Sequence, residues 1–338
     1  MNILIIKLGA IGDVIRTTSI IHGFKEKYKK CTIDWITKKE SFDILKNNNM
    51  IDGVYLLNKN YANELKNRKY DLVINLDDDY EACELSSDIN SKKIIGAYLS
   101  NDRIAYTKDS SLWFDMGLLS NFGKEKADEL KAENKKTYQE IIYKILNLGY
   151  KKQEPILILS ESEIDFGKKF SERNKITKTD IVIGINTGAG GRWEDKKLSI
   201  EETAQLIESL NKQINNKNIK IILFGGPEEK ERNKEIKKLL KTNVIDAGCN
   251  NSLMEFASLV ELCNILVTSD SLALHVGIAL KKKIVAFFYP TSAEEIELYS
   301  MGTKIIGKGK DYGSYKTKCD YPPKWSIDDI VNAVKSLI

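Results

Sequence analysis

Asp180-Ile181-Val182-Ile183-Gly184-Ile185 runs directly into Asn186-Thr187-Gly188-Ala189-Gly190-Gly191-Arg192-Trp193. A short, almost wholly apolar run is the signature of a parallel strand covered on both faces. The three glycines that follow let backbone approach a ligand closely. Arg192, Lys196 and Lys197 add positive charge nearby, and glycine loops with basic neighbours suit phosphate binding. The GxxxxGK[ST] spacing of a P-loop is absent. A plain surface loop is the competing reading.

The same strand-to-loop pattern recurs in both directions along the chain. Upstream, Asn2–Ile6, Thr32–Ile36, Val54–Leu57, Leu72–Leu76 and Lys93–Ala97 read as strands. Downstream, Lys220–Phe224, Val244–Asp246, Ile265–Thr268, Ile284–Phe288 and Lys304–Ile306 do so. Helical patterns lie between them, which predicts βαβ units. Ser199, Ser252 and Ser326 each precede an acid by three residues, the arrangement of a capping box. A polar stretch from Ser160 to Thr179 separates the halves. The chain therefore reads as two doubly wound α/β domains, residues 1–165 and 176–321, followed by a last helical segment, residues 322–338. Ligands of open α/β sheets bind beyond the carboxyl ends of the strands, so substrates are expected in a cleft between the two domains.

Composition narrows the function. The 338 residues are 42% hydrophobic and 30% charged, with a net charge of only +4. That fits a soluble globular protein of two domains and lacks the concentrated basic face of a nucleic-acid binder. Lys25, Lys27, Lys29 and Lys30 form the densest early cluster. It reads as a solvated helix end, with weak attraction to an anionic membrane surface as the alternative. Five scattered cysteines with no CxxC pair argue against a zinc ribbon or a disulfide framework and suit a reducing cytoplasm. Two histidines leave no His-rich metal site. No signal peptide or membrane-spanning run is expected.

Two further segments carry candidate chemistry. Lys7-Leu8-Gly9-Ala10-Ile11-Gly12-Asp13-Val14 follows the first strand. It lacks GxGxxG spacing, and Asp13 stands where a pyrophosphate would need to sit, so a nicotinamide cofactor is not expected. Asp13 reads either as an ordinary first-turn acid favoured by the helix dipole or as a general base on a cleft-facing loop. Thr268-Ser269-Asp270-Ser271-Leu272-Ala273-Leu274-His275 places a polar turn before an apolar helix. Its free amides suit an anion. Asp270 has a helix cap as its ordinary role, and His275 a packed, hydrogen-bonded one. Gly225-Gly226-Pro227-Glu228-Glu229 follows Lys220–Phe224, and a glutamate there could accept hydrogen bonds from ribose hydroxyls. Asp77-Asp78-Asp79 reads as a solvated acidic turn, with a DxD metal site as the alternative.

Taken together, Ile3-Leu4-Ile5-Ile6-Lys7 with Gly12-Asp13-Val14, the segment Asn186 to Leu198, Asp246-Ala247-Gly248, Ser269 to His275 and Phe288-Tyr289-Pro290-Thr291-Ser292 resemble glycosyltransferase family 9, the bacterial heptosyltransferases. The resemblance implies a GT-B fold: two Rossmann-like domains with parallel sheets facing a central cleft. The first domain would take the acceptor and the second the nucleotide sugar, and the last helix would cross back to the first domain. It implies inverting transfer of a sugar, heptose from ADP-heptose, to a hydroxyl of a glycan such as the lipopolysaccharide inner core. No cofactor and no metal would be required. Asp13 would be the base, on an acceptor-side loop with Gly9 and Gly12. Lys196 would neutralise the diphosphate, helped by Arg192. Thr187, Gly188, Glu229, Asp270, Ser271, Leu272, Ala273 and His275 would complete the donor site. The enzyme would be cytoplasmic, with peripheral contact to the inner membrane left open. Ser271-Leu272-Ala273-Leu274-His275 stands where the lipopolysaccharide enzymes commonly show Thr-Gly-Leu-Ser-His. A nucleotide-sugar 2-epimerase of the same fold and a non-catalytic nucleotide-sugar-binding module are the alternatives.

Overall fold

The computed structural model describes residues 1–58, 64–214 and 218–338. The chain divides into two compact units: Met1–Ile158 with Glu294–Glu297, and Leu159–Ala293 with Leu298–Ile338.

In the first unit the described elements are β1 (Asn2–Ile6), α1 (Ile11–Thr17), α2 (Ile20–Lys27), β2 (Thr32–Thr37), α3 (Lys39–Lys46), β3 (Gly53–Leu56), β4 (Leu72–Asn75), α4 (Tyr80–Asp88), β5 (Ile94–Ser100), β6 (Arg103–Tyr106), α5 (Ser111–Phe114), α6 (Lys124–Glu133) and α7 (Tyr138–Ile145). The strands order β3-β2-β1-β4-β5-β6. All pairs are parallel except β5–β6. Ile3, Leu4, Ile5 and Ile6 of β1 and Val73 and Ile74 of β4 are fully buried. Burial on both faces explains why these strands read as continuous apolar runs. Strand β6 has no counterpart in the sequence reading. It returns beside β5 through a two-residue turn at Asn101 and Asp102, whose φ values are 50° and 59°; such left-handed pairs close tight hairpins. At Gly96, with φ 117°, a Cβ would lie 1.8 Å from the Asn75 carbonyl oxygen, so only glycine fits between β4 and β5.

The second unit comprises α8 (Glu161–Arg173), β7 (Ile181–Asn186), α9 (Ile200–Gln213), β8 (Ile219–Phe224), α10 (Lys230–Leu239), β9 (Ile245–Asp246), α11 (Leu253–Glu261), β10 (Ile265–Ser269), α12 (Leu272–Ala279), β11 (Lys283–Phe288), β12 (Gly302–Ile306) and α13 (Ile327–Ser336). Its strands are all parallel, in the order β12-β11-β10-β7-β8-β9. Numbered from β7, this repeats the order of the first sheet. Each sheet reverses direction of winding once, between β1 and β4 and between β7 and β10. Such switch points are where doubly wound sheets bind ligands.

The capping boxes at Ser199 and Ser252 form reciprocally with Glu202 and Glu255, and Ser326 caps α13 by accepting from the Asp329 amide at 3.2 Å. Thr137 and Ser160 make two more boxes, with Glu140 and Glu163. The box at Ser160 opens α8, so the polar stretch between the halves begins with a helix of the second unit. That helix packs on α11, where Gly167 sits against Ser258. Ile327, Ile330, Val331 and Val334 of α13 enter the core of the second unit with Leu206 and Leu210 of α9. The apolar stripe of α13 is thus buried within the second unit.

Candidate active site

Each switch point carries a polar constellation. In the first unit, β1 ends in Lys7, which is 5% exposed. An ammonium this deep needs a partner, and Asp77, just beyond β4, supplies it. The Asp77 carboxylate accepts from the Lys7 ammonium and the Leu8 amide, and from the Gly9 amide at 3.3 Å. Burial pushes the Lys7 pKa down, but Asp77, Asp13 and Tyr138 more than offset it, and the net shift is upward. The Asp77-Asp78-Asp79 run is therefore not a solvated turn. Asp77 is 7% exposed and pins the glycine loop, Asp79 caps α4 by accepting from the Ala82 amide, and only Asp78 faces solvent.

That pinned loop delivers Asp13 to the first turn of α1. Its carboxylate pairs with Arg16 at 2.9 Å. Gly9 and Asp13 line a cavity of about 350 Å³ with Lys7, Asp77, Trp113, Lys131 and Glu295. Gly12 is buried within α1. Burial holds the Lys131 ammonium below its ordinary pKa, opposed by Glu295 and reinforced by Arg16. The sequence reading missed Arg16, Trp113, Lys131 and Glu295, and it did not pair Lys7 with Asp77. The one signal available was Lys7, a charge closing an otherwise apolar strand.

In the second unit the loops after β7 and β10 meet. Asn186 donates to the Gly188 carbonyl at 2.7 Å, to Thr268 at 3.2 Å and to Ser271 at 3.3 Å. Thr187 is buried; its hydroxyl donates to the Phe224 carbonyl and lies 2.6 Å from the Asn233 side-chain oxygen, so its role is to join the loop to β8 and α10. Glu229 is 5% exposed and accepts from the Gly226 amide at 2.9 Å. A Cβ at Gly188 would stand 2.8 Å from the Glu229 carboxylate, so the glycine is what admits the glutamate.

Lys196 and Asp270, chosen separately from the sequence, form a buried ion pair. The ammonium donates to the carboxylate at 2.8 Å and to the Asp270 carbonyl at 3.0 Å, and it lies 4.7 Å from the Trp193 ring centre. Thr291 donates to the same carboxylate at 2.7 Å. Burial would raise the Asp270 pKa, but Lys196, His275 and the hydrogen bonds from Lys196 and Thr291 bring it down to about 2. Asp270 is therefore not the helix cap. Ser271 holds the cap position of α12 with φ −147°, and Leu272 and Ala273 form the first turn. The amides of that turn lack carbonyl partners within the helix. His275 is 8% exposed one turn in. Arg192 is exposed beside Trp193, 5.4 Å from its ring centre. Among the described residues no group of three or more His, Cys, Asp or Glu is placed to hold a metal ion, and no helix is long and apolar enough to cross a membrane.

The chain is similar to known proteins in sequence and in fold. The profile of glycosyltransferase family 9 (heptosyltransferase) matches residues 59–323. The chain is 26% identical to lipopolysaccharide heptosyltransferase 1 of Campylobacter coli, over 100% of this chain and 99% of that protein. The glycosyl transferase family 9 structure from Veillonella parvula superposes with a TM-score of 0.81 at 21% identity, covering 99% of this chain and 96% of that one. The E. coli ADP-heptose lps heptosyltransferase II does so at 0.67 and 16% identity, covering 100% and 98%. With two Rossmann-like units of the GT-B class and a family profile spanning most of its length, the chain belongs to glycosyltransferase family 9 and is a glycosyltransferase.

Proposed function

We propose that this enzyme moves a heptose from ADP-heptose, with inversion, to a hydroxyl of a lipopolysaccharide inner-core acceptor. The first unit takes the acceptor and the second the nucleotide sugar. The observation that carries this reading is the Lys196–Asp270 pair beside the amino end of α12. A buried ammonium and free helix amides are the groups that stabilise a departing diphosphate. The names of the Campylobacter coli and E. coli relatives support the acceptor class, and that of the E. coli structure the donor.

In the reaction the acceptor oxygen forms a bond to the anomeric carbon as the carbon–oxygen bond to the diphosphate breaks. The acceptor proton passes to Asp13, and the bonding pair leaves with ADP. Gly9 in the loop and Gly12 in the first turn of α1 lead into Asp13. Lys196, Arg192 and the amides from Ser271 to Ala273 offset the charge on the leaving group, contributing on the order of 3–4 kcal/mol per strong donor. Glu229 accepts from the ribose hydroxyls, with Gly188 giving it room and Thr187 tying the loop to β8 and α10. Asp270 orients the Lys196 ammonium through its carboxylate and carbonyl, and His275 acts electrostatically on Asp270. This chemistry needs no cofactor and no metal. The enzyme works at the cytoplasmic face of the inner membrane, and Leu118 and Phe122, 91% and 63% exposed, are its contact with the lipid surface. Loss of vesicle co-sedimentation in the Leu118→Ser/Phe122→Ser variant tests that contact.

The test of the function is transfer from ADP-heptose to a lipopolysaccharide lacking heptose, read by ADP release and by acceptor mass. Asp13→Ala should lower kcat by about 10²–10⁴-fold and leave ADP binding intact. Lys196→Ala should weaken both. Near-normal turnover in Asp13→Ala would remove the base, and a preference for UDP or GDP over ADP would remove the donor.

A further inference from the structure

Arg16 follows Asp13 by one turn of α1, and an ordinary surface pair at that spacing contributes little. This one is not on the surface. The side chain of Arg16 is 10% exposed and that of Asp13 32%. The guanidinium carbon lies 3.8 Å from the Tyr138 ring centre and 5.8 Å from that of Trp113. Tyr138 and Trp113 meet edge to face at 5.1 Å. Tyr138 is itself fixed. Its hydroxyl lies 2.7 Å from the Thr17 hydroxyl, which donates to the Asp13 carbonyl at 2.6 Å, and its amide donates to the Glu295 carbonyl at 2.9 Å. A planar guanidinium stacked on an aromatic face has a defined orientation that an ammonium does not share.

We propose that Arg16 is a positioning residue: held over the Tyr138 ring and beside Trp113, it fixes the direction of the Asp13 carboxylate toward the cavity of the first unit. The inference rests on the reading of Asp13 as the base. Charged or titratable groups face Asp13 from each element around it: Arg16 on α1, Lys7 at the end of β1, Asp77 and Asp78 after β4, Lys131 on α6, Tyr138 on α7, and Glu295. The Arg16 guanidinium contacts the Asp13 carboxylate directly at 2.9 Å. Its fork sets the geometry of the carboxylate, and a cation at that distance favours the charged form of a carboxyl group.

The experiment uses full-length protein with ¹³C-labelled aspartate, the Asp13 carboxyl resonance being assigned by its loss in Asp13→Asn. In Arg16→Gln the midpoint of Asp13 should rise by about one pH unit or more. The acid limb of kcat/KM should move up with it. Turnover of ADP-heptose should fall at least tenfold while KM for the donor holds. Arg16→Lys keeps the charge but not the stacked plane, so it should titrate near the wild type yet still lose turnover. An unchanged midpoint in Arg16→Gln would overturn the proposal, as would wild-type kcat in either variant. Should Arg16→Gln fail to fold, Arg16→Lys decides the matter by its turnover. The titration needs no substrate, so an inactive wild type would count against the donor and not against Arg16.

Discussion

Replacing Asp77 by asparagine separates a structural anchor from an acidic surface turn. The side chain keeps its shape but loses the charge facing the Lys7 ammonium, which is buried to 7% side-chain exposure, and sets an amide NH₂ against the Leu8 and Gly9 donors. Breaking a buried ion pair by removing one partner costs about 3–5 kcal/mol. At 2–4 °C per kcal/mol for a domain of this size, the melting point of the first unit should fall by roughly 6–20 °C. The assay is urea unfolding followed by tryptophan fluorescence, with a thermal scan beside it. Lys7→Met in the Asp77→Asn background removes the stranded ammonium and should recover at least half of the loss. Asp77→Asn within about 0.5 kcal/mol of wild type, the range of ordinary surface changes, would refute the anchoring argument.

Lys196→Ala removes a charge-assisted hydrogen-bond donor of about 1.5–3 kcal/mol, so the Kd for ADP should rise roughly 10- to 150-fold by calorimetry. Gly188→Ala drives a methyl group to 2.8 Å from the Glu229 carboxylate. It should cost about 1–3 kcal/mol of stability and raise KM for the nucleotide sugar. Asp270, held at about 2 against an ordinary 3.8, has a depressed folded pKa, so its contribution is present above pH 4 and is lost as pH falls toward 2. That difference is worth about 2 kcal/mol; urea unfolding of wild type and Asp270→Asn across pH 2–5 should show the variant lacking it.

The fold was legible because parallel strands buried on both faces announce themselves as unbroken apolar runs. The glycine loops at Lys7–Gly12 and Asn186–Arg192 were legible because each directly follows a central strand. What the sequence concealed is pairing at a distance. Lys7 and Asp77 are separated by 70 residues, and Lys196 and Asp270 by 74. Each acid therefore read by its local context, one as a solvated turn and the other as a helix cap. Arg16 escaped notice for a related reason. Its partner Asp13 is local, but the aromatic faces that hold it come from Trp113 and Tyr138, far along the chain. Strand β6 was missed because four residues after a two-residue turn offer too short a pattern to separate from loop.

The segment Glu294–Glu297 belongs to the first unit although both of its neighbours in sequence belong to the second. Glu295 accepts the hydrogen bond from the amide that starts α7, and Glu297 pairs with Lys152 at 3.5 Å. On the ribosome, the first unit therefore emerges without a piece of itself. At about 5–20 residues per second, some 140 further residues take roughly 7–28 s to be made. For that interval the wall of the Asp13 cavity stands open at Glu295. A fragment ending at Ile158 should carry the same defect permanently, and a co-expressed peptide spanning Glu294–Glu297 is the natural complement to it.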